Sequence, residues 1–105
     1  MNFKRGDVVL ADLGHTAKIR PAIVVSISRV DSQRNMSVVA PMTTEIRGGQ
    51  CEVAFPKPKW LVEPSVINLL GIVGIDNAKI LRVLGTFPAD RMNAVDDGLA
   101  RMLGL

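Results

Sequence analysis

One cysteine, one histidine, one tryptophan and no tyrosine occur in this 105-residue chain, and each scarcity narrows what the chain can be. A lone Cys51 makes no internal disulfide and no Cys-x-x-Cys site, which points to a reducing compartment. With His15 as the sole imidazole, the donor set for zinc is missing, and chemistry without any metal is expected. Neither Gly-x-Gly-x-x-Gly nor Gly-x-x-x-x-Gly-Lys-Ser/Thr is present, so no cofactor is expected either. No apolar run reaches the roughly 18 to 20 residues of a membrane span, and Met1-Asn2-Phe3-Lys4-Arg5-Gly6-Asp7 has no signal-like apolar core. The expectation is a soluble cytoplasmic protein with no membrane partner. Arg5-Gly6-Asp7 matches an integrin-type tripeptide but runs straight into a predicted strand, and is read as chance.

What the chain does have is apolar content, 48% against 22% charged residues, enough for a packed core. Its length predicts a single domain over residues 1–105, of a size that dimerisation would help. Charge is uneven: residues 1–60 hold nine Lys or Arg against five acids, residues 61–105 four against five. The basic half offers a modest patch for a polyanion.

Alternating apolar positions predict strands over residues 22–28 and 51–55, and Val/Ile/Leu-rich runs add 7–13, 36–42, 65–69, 71–76 and 80–86. From Pro88 the period lengthens. Met92, Val95, Leu99, Met102 and Leu103 fall on one helical face, giving a C-terminal helix. The strands are too closely spaced for βαβ units, so the fold class is mainly β with a C-terminal helix, an SH3-like small barrel.

Two residues stand at strand ends with chemistry to offer. Arg20, in Arg20-Pro21-Ala22, brings a fixed fork of donors matched to phosphate; Thr43, after Pro41-Met42, brings a hydroxyl that donates or accepts. Such a pair serves phosphodiester chemistry. Before it, the loop of residues 14–19 carries His15 and Lys18, a titratable ring and a cation. Beyond it, Pro56-Lys57-Pro58-Lys59-Trp60 sets two cations beside the only Trp: either a stacking surface for a base, or a cap on the barrel or an interface.

The order Lys4-Arg5-Gly6-Asp7-Val8-Val9, Arg20-Pro21-Ala22-Ile23-Val24-Val25, Ala40-Pro41-Met42-Thr43-Thr44, Pro64-Ser65-Val66-Ile67 and Gly85-Thr86, closing on Val95-Asp96-Asp97-Gly98-Leu99, resembles the PemK/MazF-like toxins across nearly the whole chain. The resemblance implies an endoribonuclease of a type II toxin-antitoxin system, an mRNA interferase. Its implied partners are single-stranded RNA, a cognate antitoxin and a second copy of itself; its barrel is of the PemK/MazF/CcdB kind. The family's catalytic Arg and Thr carry over to Arg20 and Thr43, with Lys18, Thr44, Arg47 and Trp60 as RNA contacts. Cleavage by attack of RNA's own 2'-hydroxyl would leave a 2',3'-cyclic phosphate, and the general base stays unassigned. Alternatives are a non-catalytic toxin of the same fold poisoning a protein such as gyrase, or an SH3-like module binding single strands or peptides. One stretch departs from the family: Leu70-Gly71-Ile72-Val73-Gly74 stands where a polar strand like Asp-Gln-Ile-Arg-Thr is common.

Overall fold

Every strand pairing is antiparallel, and the order β4-β5-β3-β2-β1-β7, with β6 beside β3, wraps the sheet around two apolar clusters. The computed structural model describes residues 2–14, 18–27 and 33–105. The strands are β1 (Asp7–Asp12), β2 (Ile19–Val24), β3 (Met36–Thr43), β4 (Glu52–Ala54), β5 (Val66–Asn68), β6 (Val73–Asp76) and β7 (Ile80–Thr86), followed by helix α1 (Ala89–Leu103).

The near-continuous apolar runs of β1, β2 and β3 arise because both faces of the central strands are covered. Val8, Ile23 and Ala40 point into one cluster, with Ile67, Leu69 and Val95 of α1; Val9, Ala22, Val24 and Val39 point into the other, with Phe3 and Ile80. Ile23, Ile67 and Leu69 are fully buried, each contributing about 1.5 to 3 kcal/mol by removal from water. The alternation read over residues 22–28 as a half-buried strand therefore needs correction. The strand runs from Ile19 to Val24, and Val24 is as buried as Ile23. It ends there because Ser26 intervenes: its hydroxyl oxygen accepts the Val38 N–H at 2.9 Å, taking the place of a main-chain partner and leaving Ile27 exposed. Ser28 lies outside the described residues.

β3 changes partners along its length, pairing β6 through Met36–Val39 and β5 through Met42–Thr43. Pro41 stands in the gap, where its missing N–H leaves no ladder bond unmade. The chain crosses that gap in a 3-10 turn, Leu69–Gly71, so the strand expected over 71–76 begins only at Val73. Gly71 lies against Pro41, and a Cβ there would sit 2.9 Å from Pro41 Cγ.

Two register shifts along the β1–β7 pair, after Val8 and after Leu10, coil β7 around the sheet. The end strands β4 and β7 do not hydrogen-bond to each other among the described residues. Aromatic side chains draw the seam together: Phe55, just past β4, meets Phe87, just past β7, edge to face with centroids 5.5 Å apart. The result is a small barrel-like sheet with a side-chain seam.

Helix α1 lies over the first cluster. Pro88 stands at its N-cap position with no side-chain cap, its carbonyl accepting the Arg91 N–H at 2.9 Å; Asp90 and Arg101 suit the dipole at its two ends, and Gly104 closes it at φ 75°. Met92, Val95, Leu99 and Met102 pack as the period predicts; Leu103, placed on the same stripe, is exposed because the helix ends there. The helix approaches the 3-10 turn so closely that a Cβ at Gly98 would lie 2.4 Å from Leu69 Cδ1. Arg5 ties the other side down, donating to Val25 O at 3.0 Å and pairing with Asp96 of α1. No helix among the described residues is long and apolar enough to cross a membrane.

Candidate active site

Antiparallel pairing brings the two residues singled out at strand ends to the same end of the sheet. Ala22 opposes Pro41, and continuing that register by two residues on each strand sets Arg20 across from Thr43. On its other side Arg20 opposes Ala11 of β1, while Thr43 opposes Val66 of β5, so both are held by neighbours on two sides. They line a common open cleft of about 460 Å³, with Pro21 and Met42 in its lining and Thr44, Glu45, Leu61 and Ser65 around it.

Local hydrogen bonds orient the hydroxyl. The Glu45 N–H donates to Thr43 Oγ1 at 3.1 Å, a short turn that closes the end of β3. With an oxygen lone pair occupied, the Thr43 O–H remains to donate outward, which suits it to bind a phosphate oxygen or to orient a hydroxyl. Arg20 is half-buried. An anion entering the cleft meets a positive fork and a hydroxyl donor from adjacent strands.

The other candidate contact residues fall in three places. Thr44 is exposed in the same cleft. Arg47 lines a neighbouring cleft of about 360 Å³ that shares Thr43 and Glu45 with the first; its guanidinium pairs with Glu45 at 3.2 Å, both side chains largely exposed. Lys18 is exposed just before β2, at φ 57°, with its backbone tied to Leu13 and Gly14 and its side chain outside the cleft lining. His15 lies outside the described residues.

Trp60 is placed elsewhere. It lines a third cavity, about 110 Å³, with Phe55, Phe87 and Gly85 at the barrel seam, on the far side of Met42 from the Arg20 cleft. Its neighbour Leu61 faces the cleft instead. Lys57, the cation expected beside it, donates to Leu61 O at 2.8 Å and so holds its own turn together.

Sequence reasoning passed over Glu45, Ser65 and Leu61, and the second cleft's Gln50 and Asn68. Glu45 alone had a legible signal, its position directly after Thr43-Thr44. The others come from distant loops that only the fold brings to this end. Among the described residues no group of three or more His, Cys, Asp or Glu side chains is placed to hold a metal ion.

Comparison with known proteins places the chain as a whole. Residues 4–103 match the family of PemK-like, MazF-like toxins of type II toxin-antitoxin systems. Over 114 aligned residues, covering all of both chains, the sequence is 30% identical to a Mycobacterium tuberculosis protein named Endoribonuclease MazF6. Among solved structures, the Mycobacterium tuberculosis toxin MazF-mt6 superposes with a TM-score of 0.83 at 25% identity, over 94% of this chain and 97% of that one. A mycobacterial endoribonuclease in complex with its cognate antitoxin superposes with a TM-score of 0.84 at 26% identity, over 98% and 96%. A fold with Arg20 and Thr43 meeting at one end, and a family match over nearly its whole length, make this chain a member of the PemK-like, MazF-like toxins of type II toxin-antitoxin systems.

Proposed function

We propose that this chain is the endoribonuclease toxin of a type II toxin-antitoxin pair, cutting single-stranded RNA at the Arg20–Thr43 cleft without a metal ion. The observation that carries this is the convergence of those two side chains on one open cleft. RNA supplies its own nucleophile: the 2'-hydroxyl oxygen bonds to the adjacent phosphorus, the bond to the 5'-oxygen breaks, and the ends are a 2',3'-cyclic phosphate and a 5'-hydroxyl. The transition state gathers negative charge on the phosphorane oxygens. Arg20 stabilises it with fixed donors, acting mainly through charge because a guanidinium gives up its protons reluctantly. Thr43 orients the phosphate or the 2'-hydroxyl, a task that needs no proton removal from its hydroxyl.

Thr44, Arg47 and Lys18 contact the RNA backbone to either side. Trp60, at the seam, packs over the barrel and, 38% exposed, offers part of its indole to a base beyond the cleaved site. The protein acts in the cytoplasm as a homodimer of single-domain protomers, and an antitoxin neutralises it; the antitoxin-bound mycobacterial relative supports this last point. Exposed Leu70 and Val73, in the stretch that departs from the family, supply apolar area for the second copy.

The test is incubation of long single-stranded RNA with the purified protein in EDTA, beside Arg20→Ala and Thr43→Ala, with mapping of the new ends. Discrete cuts bearing cyclic phosphates, lost in both variants, are expected. Intact RNA from a folded wild-type protein would redirect the assignment to a protein-poisoning or binding role.

A further inference from the structure

Cleavage requires something to accept the 2'-hydroxyl proton, and the cleft is sparing in groups able to do so. Arg20 is a cation; Thr43 and Thr44 hold their hydroxyl protons too tightly; Ser65, nearly buried, donates to Glu63 O at 3.2 Å; Leu61 is apolar. Among the described residues, Glu45 is the single carboxylate in the lining.

We propose that Glu45 is the general base of the reaction, an assignment that rests on the ribonuclease function proposed above. Two bonds hold it at its post. Its N–H donates to Thr43 Oγ1 at 3.1 Å, so the carboxylate is carried by the same turn that aims the phosphate-orienting hydroxyl. Its Oε2 meets Arg47 Nη2 at 3.2 Å, which draws the side chain toward the boundary between the two clefts it lines. The charges facing it are Arg47 on its own loop, Arg20 on β2 across the cleft, and Glu52 on β4, which accepts the Arg47 and Gly48 N–H groups. Because the Glu45–Arg47 pair is open to solvent, an RNA phosphate can take over the Arg47 guanidinium and leave the carboxylate to accept a proton.

The step then balances. Glu45 takes the 2'-hydroxyl proton as the 2'-oxygen bonds to phosphorus; the P–O bond to the 5'-oxygen breaks; that oxygen is protonated from water; and Glu45 returns its proton to solvent. The competing role for an acid beside a polyanion is simple repulsion, and the two roles separate in the kinetics. A repelling carboxylate raises KM, so its removal lowers KM and leaves kcat alone. A general base acts on kcat, by about 10² to 10⁴.

The experiment uses a short single-stranded RNA containing a site the wild-type protein cuts in EDTA, with kcat and KM measured across pH for wild type, Glu45→Gln, Glu45→Asp and His15→Ala. Expected are a kcat loss of at least about 10² in Glu45→Gln, disappearance of the acid-side fall in its pH profile, and partial recovery in Glu45→Asp. Thermal melts of the variants match wild type, since the side chain is exposed. A Glu45→Gln protein that keeps wild-type kcat and pH profile overturns this assignment and leaves the ribonuclease intact, as does loss of the acid limb in His15→Ala instead. RNA left uncut by wild type overturns both.

Discussion

Thr43 shows how much chemistry a single turn can settle. Its oxygen accepts the Glu45 N–H, so the hydroxyl proton is the part left to meet substrate. Thr43→Ser is expected to keep cleavage within about tenfold of wild type, whereas Thr43→Val, with the same shape and no hydroxyl, loses about 10² or more in kcat. Timed gel assays on one RNA distinguish the two outcomes. Arg20→Lys keeps the charge and removes the planar fork, and a loss of about 10² in kcat is expected. Near-wild-type activity in Arg20→Lys would mean that charge alone suffices there.

At the scale of the elements, the contact between α1 and the 3-10 turn governs stability. Leu69 is fully buried, so its Cδ1 has nowhere to move when a methyl arrives 2.4 Å away. Alanine at position 98 gains about 1 kcal/mol of helix propensity and incurs about 1 to 3 kcal/mol of overpacking, so Gly98→Ala is expected to lower stability or at best leave it level. A denaturant titration reads the difference; a clear rise in midpoint would show that α1 slides away from the turn at little cost. The seam between β4 and β7 is the other weak joint, because side chains do there what backbone hydrogen bonds do elsewhere. Phe87→Ala removes half of the Phe55–Phe87 contact and a buried ring of the first cluster, and a loss of about 3 to 5 kcal/mol is expected by the same titration.

For the whole molecule, charge and exposed apolar area decide association. RNA affinity is expected to fall linearly on a log-log plot against salt, by about 0.7 per neutralised phosphate, with Arg47→Ala reducing the slope by about that amount. Leu70, 70% exposed, and Val73, 39% exposed, belong to the stretch proposed for the second copy. Leu70→Asp should weaken the dimer at least tenfold in sedimentation equilibrium while the protomer keeps its wild-type circular dichroism spectrum, the melt falling only as far as the lost association stabilised it. An unaffected dimer would move the interface to another face, with exposed Leu81 and Val83 of β7 next to be tried.

The strands and the C-terminal helix were legible in the chain itself, because period and composition are local, and Arg20 and Thr43 were singled out by strand-end position and a family resemblance that rests on consecutive residues. Local pattern failed where a distant group intervened. Residues 22–28 alternate, yet the strand stops at Val24 because Ser26 answers Val38 from across the sheet, and both faces of β2 are buried because a second cluster forms behind it. Trp60 beside Lys57 and Lys59 has the composition of an RNA platform; the path of the loop turns the indole to the seam and commits Lys57 to Leu61 O. Glu45 is one residue beyond a recognised motif, and nothing in its spacing says that it shares a cleft with Arg20, 25 positions earlier. The sequence by itself determined which segments are strands or helix and which residue types offer phosphodiester chemistry, since those follow from side-chain period and donor inventory. Which of them face one another was decided by tertiary structure, because register, bulges and loop direction depend on contacts between residues far apart in the chain.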